Sequence, residues 1–122
     1  MDNSLGKENQ CGNGNWYFLM NFQTISAKEA KLKFFKDDGS PEDGVKVLDI
    51  RDERSFNEGH INSAQHLDNA NFSEFLQSTD SAESIIVYCY HGIMSQGVAA
   101  HLVENGFLDV YSLNGGYEAW VN

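Results

Sequence analysis

Ile85-Ile86-Val87-Tyr88-Cys89-Tyr90-His91-Gly92-Ile93-Met94-Ser95-Gln96-Gly97 is the stretch from which the rest of the chain is read. Residues 85–89 are an apolar, β-prone run ending in a cysteine, of the right length for a buried strand. A short loop with a glycine follows. Ser95 to Asn105 then has helical spacing, with Val98, Leu102 and Val103 inward and Gly106 as the C-terminal stop. A cysteine between the end of a buried strand and the start of a helix is well placed to act as a nucleophile. The same residues also fit a buried structural cysteine, since free Cys is among the most buried residue types.

Outward from this stretch, apolar strands alternate with helices. Ser26-Ala27-Lys28-Glu29 has the form of a capping box, with Ile25 at the staple position and a helix running to about Lys36. Ala27, Ala30 and Phe34 share one face of that helix. Residues 37–44 read as a loop. Val45 to Ile50 is a buried strand with a charged end, Asp49-Ile50-Arg51-Asp52. Glu53 to Glu58 is a short helix closed by Gly59, Ala64 to Leu67 a short strand, and Phe72 to Gln77 a helix with Phe72, Phe75 and Leu76 on one side. Val110 to Leu113 is a further strand, Asn114-Gly115-Gly116 a turn, and Tyr117 to Val121 the beginning of a last helix. This alternation predicts an α/β domain with a mainly parallel sheet. In such sheets ligands sit at the carboxyl ends of strands, so Asp49–Asp52 and Cys89–Ser95 are expected on one face.

At 122 residues the chain has the length of one domain. Residues 1–20 read as a disordered N-terminal extension and residues 21–122 as the domain. With 8 basic and 18 acidic residues the net charge is −10, which argues against nucleic acid and against anionic membrane surfaces as partners. No segment has the length and apolarity of a membrane span. Cys11 and Cys89 read as free thiols in a reducing compartment, so the expected location is the cytoplasm. Lys and Arg are absent beyond Arg54, whereas residues 55–122 hold eight acids. A thiol with its ordinary pKa is only about 3% thiolate at pH 7; at a pKa near 6.5 it is about 75% thiolate. The half of the chain that holds Cys89 must therefore favour the thiolate with backbone N–H groups and a helix N-terminus. Gly92 would allow the tight loop, and Gly97 close packing of the helix. Cys89 and His91 alone do not make a metal site.

Four motifs in order carry a family resemblance. They are Val47-Leu48-Asp49-Ile50-Arg51; Phe56-Asn57-Glu58-Gly59-His60-Ile61; Val87-Tyr88-Cys89-Tyr90-His91-Gly92; and Leu113-Asn114-Gly115-Gly116-Tyr117-Glu118-Ala119-Trp120. Over residues 22–122 the chain resembles the rhodanese family, and in particular its small single-domain bacterial thiosulfate sulfurtransferases. The resemblance implies a three-layer α/β/α fold. It also implies a double-displacement reaction, in which Cys89 takes a sulfane sulfur from thiosulfate and passes it from a persulfide to cyanide or to a thiol acceptor such as thioredoxin. No cofactor and no metal are implied. Cys89 becomes the catalytic residue, and Tyr90, His91, Gly92, Ile93, Met94 and Ser95 the loop whose amides cradle sulfur. Arg51 is either a contact to substrate or the ion-pair partner of Asp49. His60 and His66 are expected to make structural hydrogen bonds.

The chain departs from the family at the loop. Met94 stands where many rhodaneses carry arginine, and Gln96 where lysine is frequent. The mouth is therefore more apolar and less cationic than usual, which leaves room for a larger or less charged sulfur donor. Two other readings stand beside the enzyme. A rhodanese-like phosphatase would need a longer loop and an arginine for the phosphate dianion. A non-catalytic binding or regulatory module would not need Cys89.

Overall fold

The computed structural model describes residues 22–122; the expected extension over 1–20 and Cys11 lie outside the described residues. Five strands, β1 (Gln23–Ile25), β2 (Val45–Asp49), β3 (Gln65–His66), β4 (Ser84–Tyr88) and β5 (Asp109–Leu113), form one sheet in the order β1-β5-β4-β2-β3. Every ladder between them is parallel. Five helices connect or follow the strands: α1 (Ala27–Phe34), α2 (Glu53–Glu58), α3 (Phe72–Ser78), α4 (Met94–Glu104) and α5 (Gly116–Val121).

β4 lies in the middle of the sheet, and its alternation divides the core. Ile86 and Tyr88 face one side, packed with Phe34, Val47, Ile61, Tyr111 and Leu113, and with the half-buried Tyr117 and Trp120. Ile85 and Val87 face the other, packed with Leu48, Phe75, Ala99, Leu102 and Val110. Helices α1, α2 and α5 thus cover one face, and α3 and α4 the other. This is the three-layer α/β/α arrangement expected, and it follows from strands that are apolar at consecutive positions because both their faces are buried. Each side chain of Ile85–Tyr88 is buried, at 0–1% exposure, so a polar substitution anywhere in the run would strand a polar group in the core.

Several boundaries differ from the sequence expectation. β1 was not expected. It is a three-residue edge strand with one buried side chain, Ile25, and it forms by pairing with β5 in the register Ile25↔Leu113. Helix α1 ends at Phe34 instead of Lys36. Phe35 leaves in an extended conformation to bridge Pro41 and to place its ring 4.9 Å from that of Trp120. Its N-terminus is as expected, with the Glu29 amide donating to Ser26 Oγ at 3.0 Å.

The charged end of β2 is tied inward. The Asp49 carboxylate is fully buried and accepts from the Arg51 amide at 2.8 Å and from Arg51 Nη2 at 2.7 Å. Arg51 Nη2 also donates to the Gly59 carbonyl at 2.5 Å, and the guanidinium lies 4.0 Å from the centre of the Tyr117 ring. One side chain therefore joins β2, the end of α2 and α5. Asp49→Ala leaves Arg51 buried without its counter-charge and is expected to cost about 3–5 kcal/mol, read as a fall in the urea midpoint. Asp49→Leu combined with Arg51→Met is expected to recover most of that loss. A single-variant loss under about 1 kcal/mol would contradict the buried-pair account.

Candidate active site

Cys89 is the first residue after β4, 2% exposed. Its sulfur accepts the amide of Gly92 at 3.2 Å and that of Ser95 at 3.3 Å, and Ser95 Oγ stands 3.4 Å away. Ser95 lies in the first turn of α4. That helix starts after Ile93, an apolar residue that makes no side-chain cap. The first amides of a helix need acceptors, and here the sulfur fills the place that a capping oxygen normally takes. In return the thiolate gains donors and the positive end of the helix dipole. Burial pushes the Cys89 thiol up. The Ser95 hydroxyl and amide, with the Gly92 and His91 amides, outweigh it and hold the thiol below its ordinary value.

Two glycine positions set the loop. Gly92 has φ +92° and packs against the backbone of the β5–α5 turn, where a Cβ would lie 2.7 Å from the Gly115 nitrogen. Gly116 has φ +62°, and a Cβ there would lie 2.5 Å from the Cys89 carbonyl oxygen. This close approach brings the first amides of α5 onto the loop: Tyr117 donates to the Cys89 carbonyl at 2.8 Å and Glu118 to the Tyr90 carbonyl at 3.3 Å. With these carbonyls turned toward α5, the loop curls so that the amides of Gly92 and Ser95 reach the sulfur.

The other loop residues face outward. Ile93 and Met94 are 76% and 65% exposed. The Tyr90 hydroxyl bonds the Asp52 carboxylate and lies 2.9 Å from Ser55 Oγ, fastening the loop to the start of α2. The bonds from Tyr90 and Ser55 hold the Asp52 carboxyl at about 2. His91 is exposed, with Nδ1 3.0 Å from Glu118 Oε1. Gln96 Nε2 donates to the Gly92 carbonyl at 3.0 Å. Arg51 is a buried partner of Asp49, and its Nε and Nη2 donors are taken by that carboxylate and by the Gly59 carbonyl. His60 and His66 make the expected structural bonds, to the Phe56 and Arg51 carbonyls.

Gly97 corrects an expectation. It does not serve close packing: a Cβ there would enter open space. It borders instead a cleft of ≈ 670 Å³ at the carboxyl ends of β2 and β3, walled by Ile50, Leu67, Phe72, Met94 and Val98, with Asp52, Glu53 and Asp68 among its polar residues. The sequence reading also missed Ser112. This residue of β5 is buried, and its Oγ lies 2.8 Å from Ser95 Oγ. A polar residue among the apolar ones of a core strand was the available signal.

The Rhodanese-like domain family matches residues 27–122. The chain belongs to this family. It is 52% identical over 79 residues to a thiosulfate sulfurtransferase GlpE of Pseudomonas fluorescens, covering 65% of this chain and 72% of that one. It is 47% identical over 99 residues to the protein of the same name from Pseudomonas aeruginosa, covering 81% and 84%. Among solved structures it is similar to a rhodanese-like domain protein from Staphylococcus aureus, with a TM-score of 0.65, 26% identity and coverage of 81% and 91%. A rhodanese-like domain from Anabaena aligns with a TM-score of 0.66, 26% identity and coverage of 80% and 72%.

The rhodanese-like loop depends on the contact at Gly116. Gly116→Ala is expected to destabilise the protein by more than about 2 kcal/mol, through both the positive φ and the overlap with the Cys89 carbonyl. It should also slow alkylation of Cys89 by iodoacetamide at neutral pH. Unchanged thermal stability together with an unchanged alkylation rate would contradict the role given to α5.

Proposed function

We propose that this rhodanese-like domain is a thiosulfate sulfurtransferase whose nucleophile is Cys89. The observation that carries the reading is a buried sulfur at a strand end, accepting two amides beside a hydroxyl, in a chain about half identical to proteins named for that activity. In the first step the Cys89 thiolate attacks the outer sulfur of thiosulfate. The sulfur–sulfur bond of thiosulfate breaks, its electron pair leaves with sulfite, and Cys89 becomes a persulfide. In the second step a nucleophile attacks the outer sulfur of the persulfide and the electron pair returns to Cys89. Cyanide leaves as thiocyanate by this route, and a thiol acceptor such as thioredoxin takes the sulfur as its own persulfide. Cysteine suits both steps because its thiolate is both a good nucleophile and a competent leaving group toward sulfur.

The amides of the 90–95 loop supply the field for both sulfur anions, so neither metal nor organic cofactor has a step to perform. Arg51 is assigned to the scaffold, given its pairing with Asp49. The loop mouth favours modestly charged partners: Ile93 and Met94 are apolar and exposed, and the adjoining cleft has apolar walls and three acids, Asp52, Glu53 and Asp68, beside the guanidinium of Arg51, which is paired with Asp49. Thiosulfate enters against that field, and a larger organic persulfide has a surface to lie on. A cycle that starts from a free thiolate calls for a reducing compartment, and we assign the cytoplasm.

Intact-mass measurement after incubation with thiosulfate tests the proposal. The protein is expected to gain the mass of one sulfur atom and to lose it on addition of cyanide, and Cys89→Ser is expected to gain nothing. Absence of the adduct in the wild-type chain with every sulfane donor tried, or its persistence in Cys89→Ser, would overturn the assignment.

A further inference from the structure

Sγ of Cys89, Oγ of Ser95 and Oγ of Ser112 form a buried line. The sulfur–oxygen separation is 3.4 Å and the oxygen–oxygen separation 2.8 Å. The three residues are 2%, 0% and 1% exposed. Among the described residues, Ser112 Oγ bonds Ser95 alone, and Ser95 Oγ bonds Ser112 and the sulfur. Ser112 belongs to β5 and Ser95 to α4, so the line crosses from the sheet to the helix that covers it.

The line has two links, and each link holds one proton. With Cys89 as thiolate it has two protons, one on each serine, and both links are filled in one direction: Ser112 donates to Ser95, and Ser95 donates to sulfur. With Cys89 as thiol there are three protons for two links, so one hydroxyl must turn out of the line to another acceptor. Ser112 sets the direction. Its proton occupies the Ser95 oxygen and keeps the Ser95 proton on the sulfur side. Without it the Ser95 hydroxyl is free to turn to a carbonyl of the preceding turn, the usual alternative for serine in a helix.

We propose that Ser112 is a positioning residue that acts on Cys89 through Ser95, aiming the Ser95 hydroxyl at the sulfur so that the thiolate is the favoured state. The proposal rests on the reading of Cys89 as a thiolate nucleophile, but its test needs no sulfur transfer. The second-order rate of alkylation by iodoacetamide is measured against pH. It is scored on the tryptic peptide that begins at Ser55, since no Lys or Arg follows Arg54 and Cys89 is its single cysteine. Ser112→Thr and Ser112→Val have the same shape and differ in the hydroxyl. Ser112→Thr is expected to keep the wild-type midpoint. Ser112→Val is expected to raise it by about half to one pH unit, a roughly three- to tenfold lower thiolate fraction below the midpoint. Equal midpoints in the two variants, shifted or not, would overturn the proposal, because the hydroxyl would then have no part. If the added methyl prevents folding, Ser112→Ala takes their place. It is expected to raise the midpoint with an unchanged far-UV spectrum, and an unmoved midpoint would overturn the proposal.

Discussion

The bond from the Tyr117 amide to the Cys89 carbonyl, 2.8 Å long, settles which way the peptide groups of the loop point. A sulfur anion in a buried site needs donors, and this half of the chain has neither lysine nor arginine to supply them. The donors are main-chain amides and the Ser95 hydroxyl. A loop presents amides inward only if its carbonyls have acceptable partners elsewhere. Helix α5 provides those partners with its own unsatisfied N–H groups, and Gly116 allows it to come close enough. The ion pair beneath supports the arrangement, because the Arg51 guanidinium lies against the Tyr117 ring and holds the start of α5 to the end of β2. Fold stability and the surroundings of the Cys89 sulfur thus share one set of contacts.

How much of this is legible in the sequence depends on how local the cause is. The β4 run, the cysteine at its end and the Gly-Gly turn are readable because each depends on residues adjacent in the chain. β1 was not, because Gln23-Thr24-Ile25 has no strand pattern of its own and becomes a strand only through β5. Gly97 was misread for a related reason: whether a helical glycine faces a neighbour or an open cleft is decided by what stands opposite, here the β3 end and α3. Ser112 is separated from Cys89 by a whole helix, and only the parallel crossover brings the two together. The ends of Arg51 were half legible. Its pairing with Asp49 is local, but its bonds to Gly59 and Tyr117 are tertiary.

The acidity of the chain then has a local meaning. The thiolate is held by dipoles fixed in place, which act at short range and leave the net charge of −10, and so the long-range repulsion of an incoming dianion, unchanged. The two tasks that one arginine at the loop mouth would perform together, stabilising the nucleophile and attracting the donor, are separate in this protein. Only the first is built into the backbone. The exposed Ile93 and Met94 at the loop mouth bring no charge to the second.

The central claim is that amides and a hydroxyl, not mobile or side-chain cations, hold the Cys89 thiolate. The direct measurement is the ultraviolet thiolate absorbance of the wild-type protein minus that of Cys89→Ser, titrated with pH at low and at molar salt. Cys11 is present in both proteins and cancels. The account predicts a midpoint below the ordinary cysteine value of about 8.5 that salt leaves nearly in place, since fixed buried dipoles are poorly screened. A midpoint at or above the ordinary value, or one that rises strongly with salt, would contradict it.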